Sequence, residues 1–424
     1  MLNDKIQGLN SHSAQKHTSG YNFLRDNLYE KGVNVDAVIS QLSDFQCAVP
    51  SWALGAGGTR FGRFSIGGEP GCLEEKINDV GIIHSLTGCA GAISLHIPWD
   101  IPSDFNSIKQ LAAENNLVFD AVNSNTFQDQ KNQAHSYKFG SLSSIHKDSR
   151  ELAIQHNIEV VKIGEQLGSK SITVWLSDGS NFPGQVNFRK ALSHTADSLK
   201  QIYAAMPADW SLFIEYKPYE PNFYHTVIQD WGTSFMLANE CGERAYTLVD
   251  LGHHLPNTNI ELIVATLMSK GKLGGFHFND SKYGDDDLTV GSIKPYQLFL
   301  IFNELVYGMN NDKHNPAPAW MIDASHNIKD PLEDLIQSLE AIMLSYAQAL
   351  IIDQNKLEEA RDTSDVVMAQ EILQDAFRTD LRPLIAEVRR RKGAALSPVE
   401  AYRALKIRSD LISQRGFNTI ATGL

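Results

Sequence analysis

Cysteine and long apolar runs are scarce in this sequence, and each scarcity excludes a class of protein. The 424 residues include four cysteines, and no two of them form a C-x-x-C pair. Disulfide scaffolds are short and rich in cysteine, so a long chain of this composition is typical of a reducing compartment. No run approaches the ~18 apolar residues of a membrane span. Residues 1–20 are polar and lack the apolar segment of a secretory signal. By elimination we expect a cytoplasmic protein without a membrane partner.

Basic charge is also in short supply. The chain has 37 Lys and Arg against 50 Asp and Glu, a formal net charge of −13. Binding to nucleic-acid phosphates needs a basic surface. The nearest approach is the run Arg389 to Lys392, whose helical pattern predicts a solvated helix end. Nucleic acid is therefore excluded as the expected partner, and a metal-dependent phosphodiesterase or endonuclease barrel is the more distant rival function.

Eight short apolar runs, separated by helix-length segments, recur through the middle of the chain. Strands that alternate with helices indicate βαβ units and a parallel sheet. Eight units within ~280 residues match the α/β class and the (β/α)8 TIM barrel. The alternative is a doubly wound open sheet, which usually carries a glycine-rich phosphate turn after its first strand. The runs are Phe45–Val49, Ile93–Trp99, Leu117–Val122, Ser171–Leu176, Ser211–Tyr216, Tyr246–Leu251, Gly274–Phe278 and Trp320–Asp323.

The chain extends beyond this repeat at both ends. We predict an N-terminal helical extension over residues 1–44, the barrel with its site over 45–329, and a C-terminal helical region over 330–424 that makes oligomer contacts. An apolar stripe in the last region must be buried on the barrel or on a neighbouring subunit. The stripe consists of Ile336, Leu339, Ile342 and Met343.

Two helices between the strands show local signals. Thr258 followed by Glu261 has the spacing of a capping box, and Gly271 suits the end of that helix. Residues 146–167 show helical periodicity, and Gly168 follows them.

The predicted strands end in unusual polar groups. Apolar residues lead to Glu215, to Asp250, to His277 and to Asp323 at four consecutive strands. In a closed barrel those ends converge on one face. Like charges ~4 Å apart repel by ~1 to 4 kcal/mol, depending on the effective dielectric. Protonation or a cation relieves such repulsion, and carboxylates with imidazole suit Mn²⁺, Mg²⁺ or Co²⁺.

A second metal position follows from the next groups along the chain. His253, Asp285 and Asp287 could hold a second cation, with Asp250 as the shared ligand. Five carboxylates carry −5 and two divalent cations carry +4, so the charges nearly balance. Taken singly, each group has a simpler explanation as a cap, a satisfied core histidine or a solvated loop. The repetition at four strand ends favours the metal site.

Other candidates carry weaker signals. His96 ends the second strand and could shuttle a proton. Lys217 lies two residues after Glu215 and could polarise a carbonyl, and Ser325 could work with Asp323 on a hydroxyl or water. Tryptophans near strand ends are explained either by core packing or by stacking against a sugar. They are Trp52, Trp99 and Trp175.

At these residues the sequence resembles the L-rhamnose isomerase family, in its bacterial branch of broad aldose specificity. The resemblance runs from about residue 20 to about residue 405. Glu215-x-Lys217-Pro218, Asp250-x-x-His253 and Asp285-x-Asp287 also resemble xylose isomerases. The stretches that carry the likeness begin at Val49 (VPSW), Gly57 (GGTRF), Ser94 (SLHIPWD), Asp178 (DGSNFPGQ), Val249 (VDLGHH), Gly275 (GFHFNDSKYGDDD) and Met321 (MIDxSHN).

This resemblance implies a homotetramer with two divalent metal ions per subunit. Mn²⁺ is the expected metal, with Co²⁺, Mg²⁺ or Zn²⁺ as alternatives. It assigns Glu215, Asp250, His277 and Asp323 to one ion, and His253, Asp285 and Asp287 with Asp250 to the other. It also places Phe61 near the substrate of a neighbouring subunit.

The resulting hypothesis is reversible aldose–ketose isomerisation, in which hydrogen moves between C1 and C2. A metal-assisted hydride shift is the preferred route, and an enediol route is the alternative. The expected substrate is L-rhamnose, which would give L-rhamnulose, with L-lyxose, L-mannose and D-allose as further sugars. A ketose 3-epimerase on the same barrel is the near rival. A non-catalytic sugar-binding protein is the last alternative.

Overall fold

The computed structural model of the chain describes residues 2–55, 64–220, 224–324 and 328–417. Two predicted site residues, Phe61 and Ser325, lie outside these ranges.

Twelve strands occur in the described ranges. Ten of them form one sheet in which every pairing is parallel, whereas β8 and β9 form a separate antiparallel hairpin. Each of the eight predicted runs contains strand residues, and the hairpin was not predicted. The strands are β1 Ala48–Pro50, β2 Ala92–Ser94, β3 His96–Ile97, β4 Val118–Phe119, β5 Val122–Ser124, β6 Ser171–Trp175, β7 Ser211–Glu215, β8 Tyr219–Glu220, β9 Tyr224–His225, β10 Ala245–Asp250, β11 Leu273–Phe278 and β12 Ala319–Ile322.

The strand order shows how the parallel sheet curls. It runs β3-β5-β6-β7-β10-β11-β12-β1-β2-β4. Leu95 alone separates β2 from β3, and residues 120–121 separate β4 from β5. β2 and β3 are therefore two parts of one pass of the chain through the sheet, and β4 and β5 are two parts of the next pass. The strand order begins with β3 and β5 and ends with β2 and β4, so both of its ends belong to the same two passes. The passes follow one another in sequence, without the reversal of order that marks a doubly wound sheet. The predicted α/β class is confirmed.

Helices follow the strands and also occupy both ends of the chain. Seven of them, α3 to α9, lie between the first and last strands of the sheet, and α10 follows β12. The helices are α1 Leu2–Glu30, α2 Val35–Asp44, α3 Leu73–Thr87, α4 Phe105–Glu114, α5 Lys147–Leu167, α6 Phe188–Ala205, α7 Trp231–Cys241, α8 Ile260–Ser269, α9 Pro295–Asn311, α10 Pro331–Leu350, α11 Gln354–Asp362, α12 Val366–Arg378, α13 Arg382–Arg391, α14 Pro398–Ala404 and α15 Ile407–Arg415.

The predicted start of α8 was wrong by one residue. Asn259 is the cap, because its side chain accepts a hydrogen bond from Leu262 N. Thr258 Oγ1 instead donates to Leu255 O, 2.8 Å away. Asparagine and threonine both cap helices, so the motif alone did not decide between adjacent candidates. The predicted ends are confirmed, since Gly168 and Gly271 have the positive φ angles of 92° and 66° that favour glycine.

The predicted apolar stripe of α10 is buried in the main hydrophobic core. Helix α10 makes its contacts within the chain: α9 is its most extensive neighbour, and α2, α3, α12, α13 and α14 also contact it. Burial of the stripe therefore needs no neighbouring subunit.

The expected solvated helix end at Arg389 was wrong for that residue. Arg389 is buried, and its guanidinium donates to Glu340 Oε1 at 2.6 Å and to Leu396 O at 2.8 Å. Arg390 and Arg391 are more exposed and pair with Glu387. An internal acidic partner and carbonyl make burial of one arginine tolerable, and neither partner is visible in the local sequence.

Among the described residues, no single helix has both the length and the apolar character of a membrane span. The bent pair α10 and α11, which meet at 64°, passes that test by length and composition. Most of the residues of α10 are buried in the core. The four cysteines, all in described ranges, are free.

Candidate metal centre and cavity

The four predicted strand-end groups meet at one place. Glu215 ends β7, Asp250 ends β10, His277 lies one residue before the end of β11, and Asp323 follows β12 directly. One ligand atom from each lies within 4.8 Å of the others. Parallel pairing explains the convergence, because β7, β10, β11 and β12 are successive neighbours that end on the same side.

His277 lies at the centre of this group. Its Nδ1 is 3.4 Å from Glu215 Oε1, 3.7 Å from Asp250 Oδ2 and 3.6 Å from Asp323 Oδ2. Asp250 is fully buried, whereas the Asp323 side chain is 26% exposed. The group therefore has a closed side at Asp250 and an open side at Asp323.

A second group shares Asp250 with the first. Asp250, His253 and Asp285 bring one ligand atom each within 4.8 Å of one another. His253 also lies between the two groups, with Nδ1 3.2 Å from Glu215 Oε1 and Nε2 3.2 Å from Asp285 Oδ1. Asp287 lines the same cavity but does not belong to this group of gathered ligand atoms.

Burial and mutual charge set the protonation of these groups. Burial raises the pKa of Asp250 to about 7, and the charges of Asp323 and Glu215 act in the same direction. Burial also disfavours the ionised form of Glu215, but the imidazoles of His277 and His253 lower its pKa to about 2.

The two imidazoles respond in the opposite sense to the carboxylates around them. Burial lowers the pKa of His277, but Glu215 and Asp323 outweigh it and raise the value to about 10. Asp250 and Asp285 likewise raise the pKa of His253 well above its ordinary range, against the effect of burial. Protons on the histidines would thus balance the carboxylates whenever no cation is bound.

The unsatisfied atoms in the cluster fit a cation. Within the described residues, Asp250 Oδ2, His253 Nδ1 and His277 Nδ1 are buried and receive no well-aligned hydrogen bond, although carboxylate oxygens lie 3.2 to 3.7 Å from the two imidazole nitrogens. Buried polar atoms are nearly always satisfied, so three in one cluster call for an explanation. All three belong to the candidate ligand groups, and carboxylate oxygen with imidazole nitrogen is a donor set suited to Mn²⁺, Co²⁺ or Zn²⁺. The residues present therefore fit one or two divalent ions.

A cavity of about 400 Å³ opens in front of the cluster. Its lining combines acidic and imidazole groups on one side with aromatic and hydroxyl groups on the other. This is a suitable size and character for one small polar molecule. The lining residues are Trp52, His96, Asn123, Ser124, Phe127, Gln128, Thr173, Trp175, Ser177, Glu215, Glu220, His253, His277, Asp285, Asp287 and Asp323.

Beside the candidate metal ligands, the predicted residues Trp52, Trp175 and His96 line this cavity. Trp52 Nε1 donates to Asp323 Oδ1 at 3.1 Å, so this indole also contacts the cluster of strand-end carboxylates and histidine. Trp99 is not a lining residue, and its ring lies 4.4 Å from the His96 ring. Burial lowers the pKa of His96 to about 4, so this imidazole is neutral near pH 7.

Phe127 also lines the cavity, and the sequence did not predict it as a site residue. Its ring lies 5.0 Å from that of Trp175 and 5.6 Å from that of His96. It follows β5 in a segment without helical or strand periodicity, so no pattern marked it.

Lys217 is held between two carboxylates. Its Nζ lies 2.5 Å from Glu220 Oε2 and 2.5 Å from Asp285 Oδ2. The Lys217 and Glu220 side chains are 2% and 4% exposed. Glu220 was also missed, because it lies on the β8–β9 hairpin that the apolar runs did not predict. The lysine therefore connects the strand-end site with that hairpin.

Comparison with known proteins gives a consistent assignment. The chain is 51% identical over 398 residues to a probable sugar isomerase of Rhizobium meliloti (strain 1021). The aligned residues cover 94% of this chain and 93% of that protein. It is 50% identical over 403 residues to a probable sugar isomerase of Mesorhizobium japonicum (strain LMG 29417 / CECT 9101 / MAFF 303099), with 95% and 94% covered. The chain belongs to the family of sugar isomerases that these two proteins represent.

The fold comparison agrees at the level of architecture. A solved structure of an L-ribulose 3-epimerase superimposes with a TM-score of 0.52 at 14% sequence identity, over 76% of this chain and 98% of that one. At this identity the likeness shows the fold alone. No protein-family model matches the chain.

Proposed function

We propose that the chain is a metal-dependent aldose–ketose isomerase on a closed (β/α)8 barrel. The observation that carries the proposal is the convergence of Glu215, Asp250, His277 and Asp323 within 4.8 Å at one end of the parallel sheet. Closure of the barrel is inferred from a strand order that returns to the chain passes with which it began.

The proposed ligands follow from the two groups. Glu215, Asp250, His277 and Asp323 would hold one divalent ion, and Asp250, His253 and Asp285 would hold a second. Asp287 remains a proposed ligand because it lines the cavity beside Asp285. When bound, such ions supply Lewis acidity that stabilises negative charge on sugar oxygens during the reaction. Mn²⁺ is the proposed metal.

The aromatic wall would bind and orient the open-chain sugar. Trp52, Phe127 and Trp175 present apolar ring surfaces to the cavity, and sugar C–H faces pack on such rings. These rings also keep water from the reacting carbons. Trp99 would act through its contact with His96. The cavity volume of about 400 Å³ admits one such sugar.

The polar residues would handle the transferred charge and protons. Isomerisation moves a hydrogen from C2 to C1 and a proton from O2 to O1, so atoms and electrons balance without a further reactant. Lys217 would stabilise the carbonyl oxygen with its ammonium. Asp323, on the exposed side of the cluster, would move a hydroxyl proton. The neutral His96 imidazole would be available to accept a proton during ring opening.

L-Rhamnose is the proposed substrate and L-rhamnulose the proposed product, with L-lyxose, L-mannose and D-allose as further substrates. The homotetramer, a cytoplasmic location, the role of Ser325 and the contribution of Phe61 to a neighbouring site also remain proposals.

The test is a product assay with metal-depleted protein. The chain is treated with EDTA, desalted, and incubated with each of the four aldoses before and after addition of Mn²⁺. The expected result is ketose formation with Mn²⁺ and a loss of at least ~100-fold without it. Full-rate conversion by depleted protein would refute metal dependence. Conversion of a ketose to its C3 epimer, with no aldose formed, would favour the 3-epimerase instead.

A further inference from the structure

The side chain of Asn279 lies directly behind the shared ligand Asp250. Asn279 directly follows β11, and β11 pairs with β10 on one side and with β12 on the other. Its Nδ2 donates to Asp250 Oδ1 at 2.8 Å and to the backbone oxygen of Asp323 at 3.0 Å. One buried amide therefore connects the ends of two strands that each supply a candidate ligand.

The amide orientation of Asn279 is fixed by its partners. Both the carboxylate of Asp250 and the carbonyl of Asp323 are acceptors, so the NH₂ group, not the oxygen, must face them. The side chain is 1% exposed, which leaves water little access to these bonds.

The two oxygens of Asp250 are divided between two tasks. Oδ1 accepts from Asn279 Nδ2 and also from Gly252 N at 2.7 Å. Oδ2 lies 3.7 Å from His277 Nδ1 and has no hydrogen-bond partner among the described residues. Carboxylates rotate freely about their last bond unless they are held. With Oδ1 held by two donors, Oδ2 is the oxygen that faces the cluster.

Gly252 is part of the same arrangement. A Cβ at this position would lie 3.1 Å from Asn279 Oδ1 and 3.3 Å from Asp285 Oδ1. The absence of a side chain at residue 252 therefore allows the amide and the carboxylate to approach the same turn.

We propose that Asn279 is a positioning residue, which fixes the Asp250 carboxylate so that Oδ2 is directed at the cation. The inference rests on the proposed metal site. Groups that orient metal ligands typically contribute 10- to 100-fold to affinity. None of the sequence patterns singled out Asn279, because its role depends on the strands on either side of it.

The experiment measures Mn²⁺ affinity by electron paramagnetic resonance of free Mn²⁺, in the wild-type full-length chain and in Asn279→Ala and Asn279→Leu. Leucine has the same branched shape and number of side-chain heavy atoms as asparagine, but it cannot donate a hydrogen bond. Both variants are expected to bind Mn²⁺ ~10- to 100-fold more weakly. The visible spectrum of Co²⁺-loaded protein is expected to change in both, since the ligand geometry changes.

Asn157→Ala is the matched control. Asn157 is a buried asparagine on α5 whose Nδ2 donates to Ala153 O at 2.8 Å, and it does not line the cavity. This variant is expected to lose thermal stability while it keeps the wild-type Mn²⁺ affinity and Co²⁺ spectrum.

The outcomes separate the two proposals. If the wild-type chain binds Mn²⁺ and both Asn279 variants bind it equally well with the same Co²⁺ spectrum, the positioning role is refuted and the metal site stands. If the wild-type chain binds no Mn²⁺, the proposed metal-dependent function itself fails. If Asn157→Ala weakens Mn²⁺ binding as much as the Asn279 variants, the effect is general destabilisation and the positioning role is refuted.

Discussion

Asp250 is the residue on which both candidate metal groups depend. In Asp250→Asn the neutral amide keeps the shape of the side chain but removes its charge and one acceptor oxygen. We expect a loss of Mn²⁺ affinity of more than ~100-fold, above the effect of residues that merely orient ligands. Isothermal titration with Mn²⁺ measures it. Because the pKa of Asp250 is raised by burial, the variant is also expected to be at least as stable as the metal-free wild type. Wild-type affinity in this variant would contradict the assignment.

Lys76 and Asp100 form a buried ion pair beneath the cavity wall. Lys76 Nζ lies 2.6 Å from Asp100 Oδ1, and both side chains are 1% exposed. Asp100 Oδ2 also accepts from Ser51 Oγ at 2.5 Å and from His96 N at 2.9 Å. Asp100 therefore links the start of β3, at His96, to Ser51, the neighbour of Trp52.

Lys76→Met is expected to lower the free energy of unfolding by about 3–5 kcal/mol, because it leaves a buried carboxylate without its counter-charge. Urea unfolding of the metal-free chain measures the change. Lys170→Met is the control, since its pair with Asp209 is 67% and 62% exposed and is worth at most about 1 kcal/mol. Equal effects of the two substitutions would contradict the importance of burial.

The residue types of the site were largely predictable, and their partners were not. Glu215, Asp250, His277 and Asp323 each follow or end an apolar run, so the convergence rule for parallel strands was enough to bring them together. Asn279 donates to Asp250 and Asp323, which lie at the ends of the two neighbouring strands, and sequence spacing carries no information about such contacts. Glu220 contacts Lys217 from a hairpin that the apolar runs did not predict. Both residues were missed.

At the scale of elements, hydrogen bonds connect the first helix to the C-terminal region of the chain. Asn10 on α1 donates to Ala394 O at 2.9 Å and accepts from Leu396 N at 2.9 Å. His17 Nε2 lies 2.9 Å from Glu387 Oε2 on α13. Helices from opposite ends of the sequence thus form one layer, a feature that periodicity within each helix did not reveal.

Glu387 gives this layer a pH-dependent contribution to stability. Arg390 is the main cause that lowers its pKa, and His17 and Arg391 add to the effect, so that the value is about 2. A carboxyl with a lowered folded-state pKa stabilises the fold above its unfolded pKa of about 4.5 and loses that contribution as the pH falls toward the folded value. We therefore expect Glu387→Gln to destabilise the chain at pH 7 and to have a smaller effect near pH 3. Denaturant unfolding at the two pH values tests this, and a difference that grows on acidification would contradict it.

The sequence predicted the presence of the strands better than it predicted where each strand or helix begins and ends. Alternation of apolar runs with helical segments marked all eight chain passes of the sheet. The breaks at Leu95 and at residues 120–121, which divide two passes into β2, β3, β4 and β5, depend on local pairing and left no sequence signal. The α8 cap lies at Asn259 instead of Thr258 because both residue types cap helices, so the motif alone did not decide between them.

At the scale of the whole molecule, the account predicts that metal binding is coupled to protons. In the metal-free chain the carboxylates hold His253 and His277 protonated, with the pKa of His277 near 10. A cation must displace those protons before it can bind the imidazole nitrogens. The apparent Mn²⁺ affinity should therefore rise with pH, by up to about 10-fold per pH unit for each proton released. Calorimetric titrations in two buffers of different ionisation enthalpy count the protons. Binding without proton release between pH 6 and 8 would contradict these protonation states.

The central claim is that the strand-end carboxylates and histidines hold divalent ions in front of the sugar cavity. Anomalous diffraction from Mn²⁺-soaked crystals, recorded at the manganese edge, tests it most directly. The account predicts an anomalous peak among Glu215, Asp250, His277 and Asp323, and a second one beside His253 and Asp285. A map without a peak among the first four residues at saturating Mn²⁺ would contradict the claim.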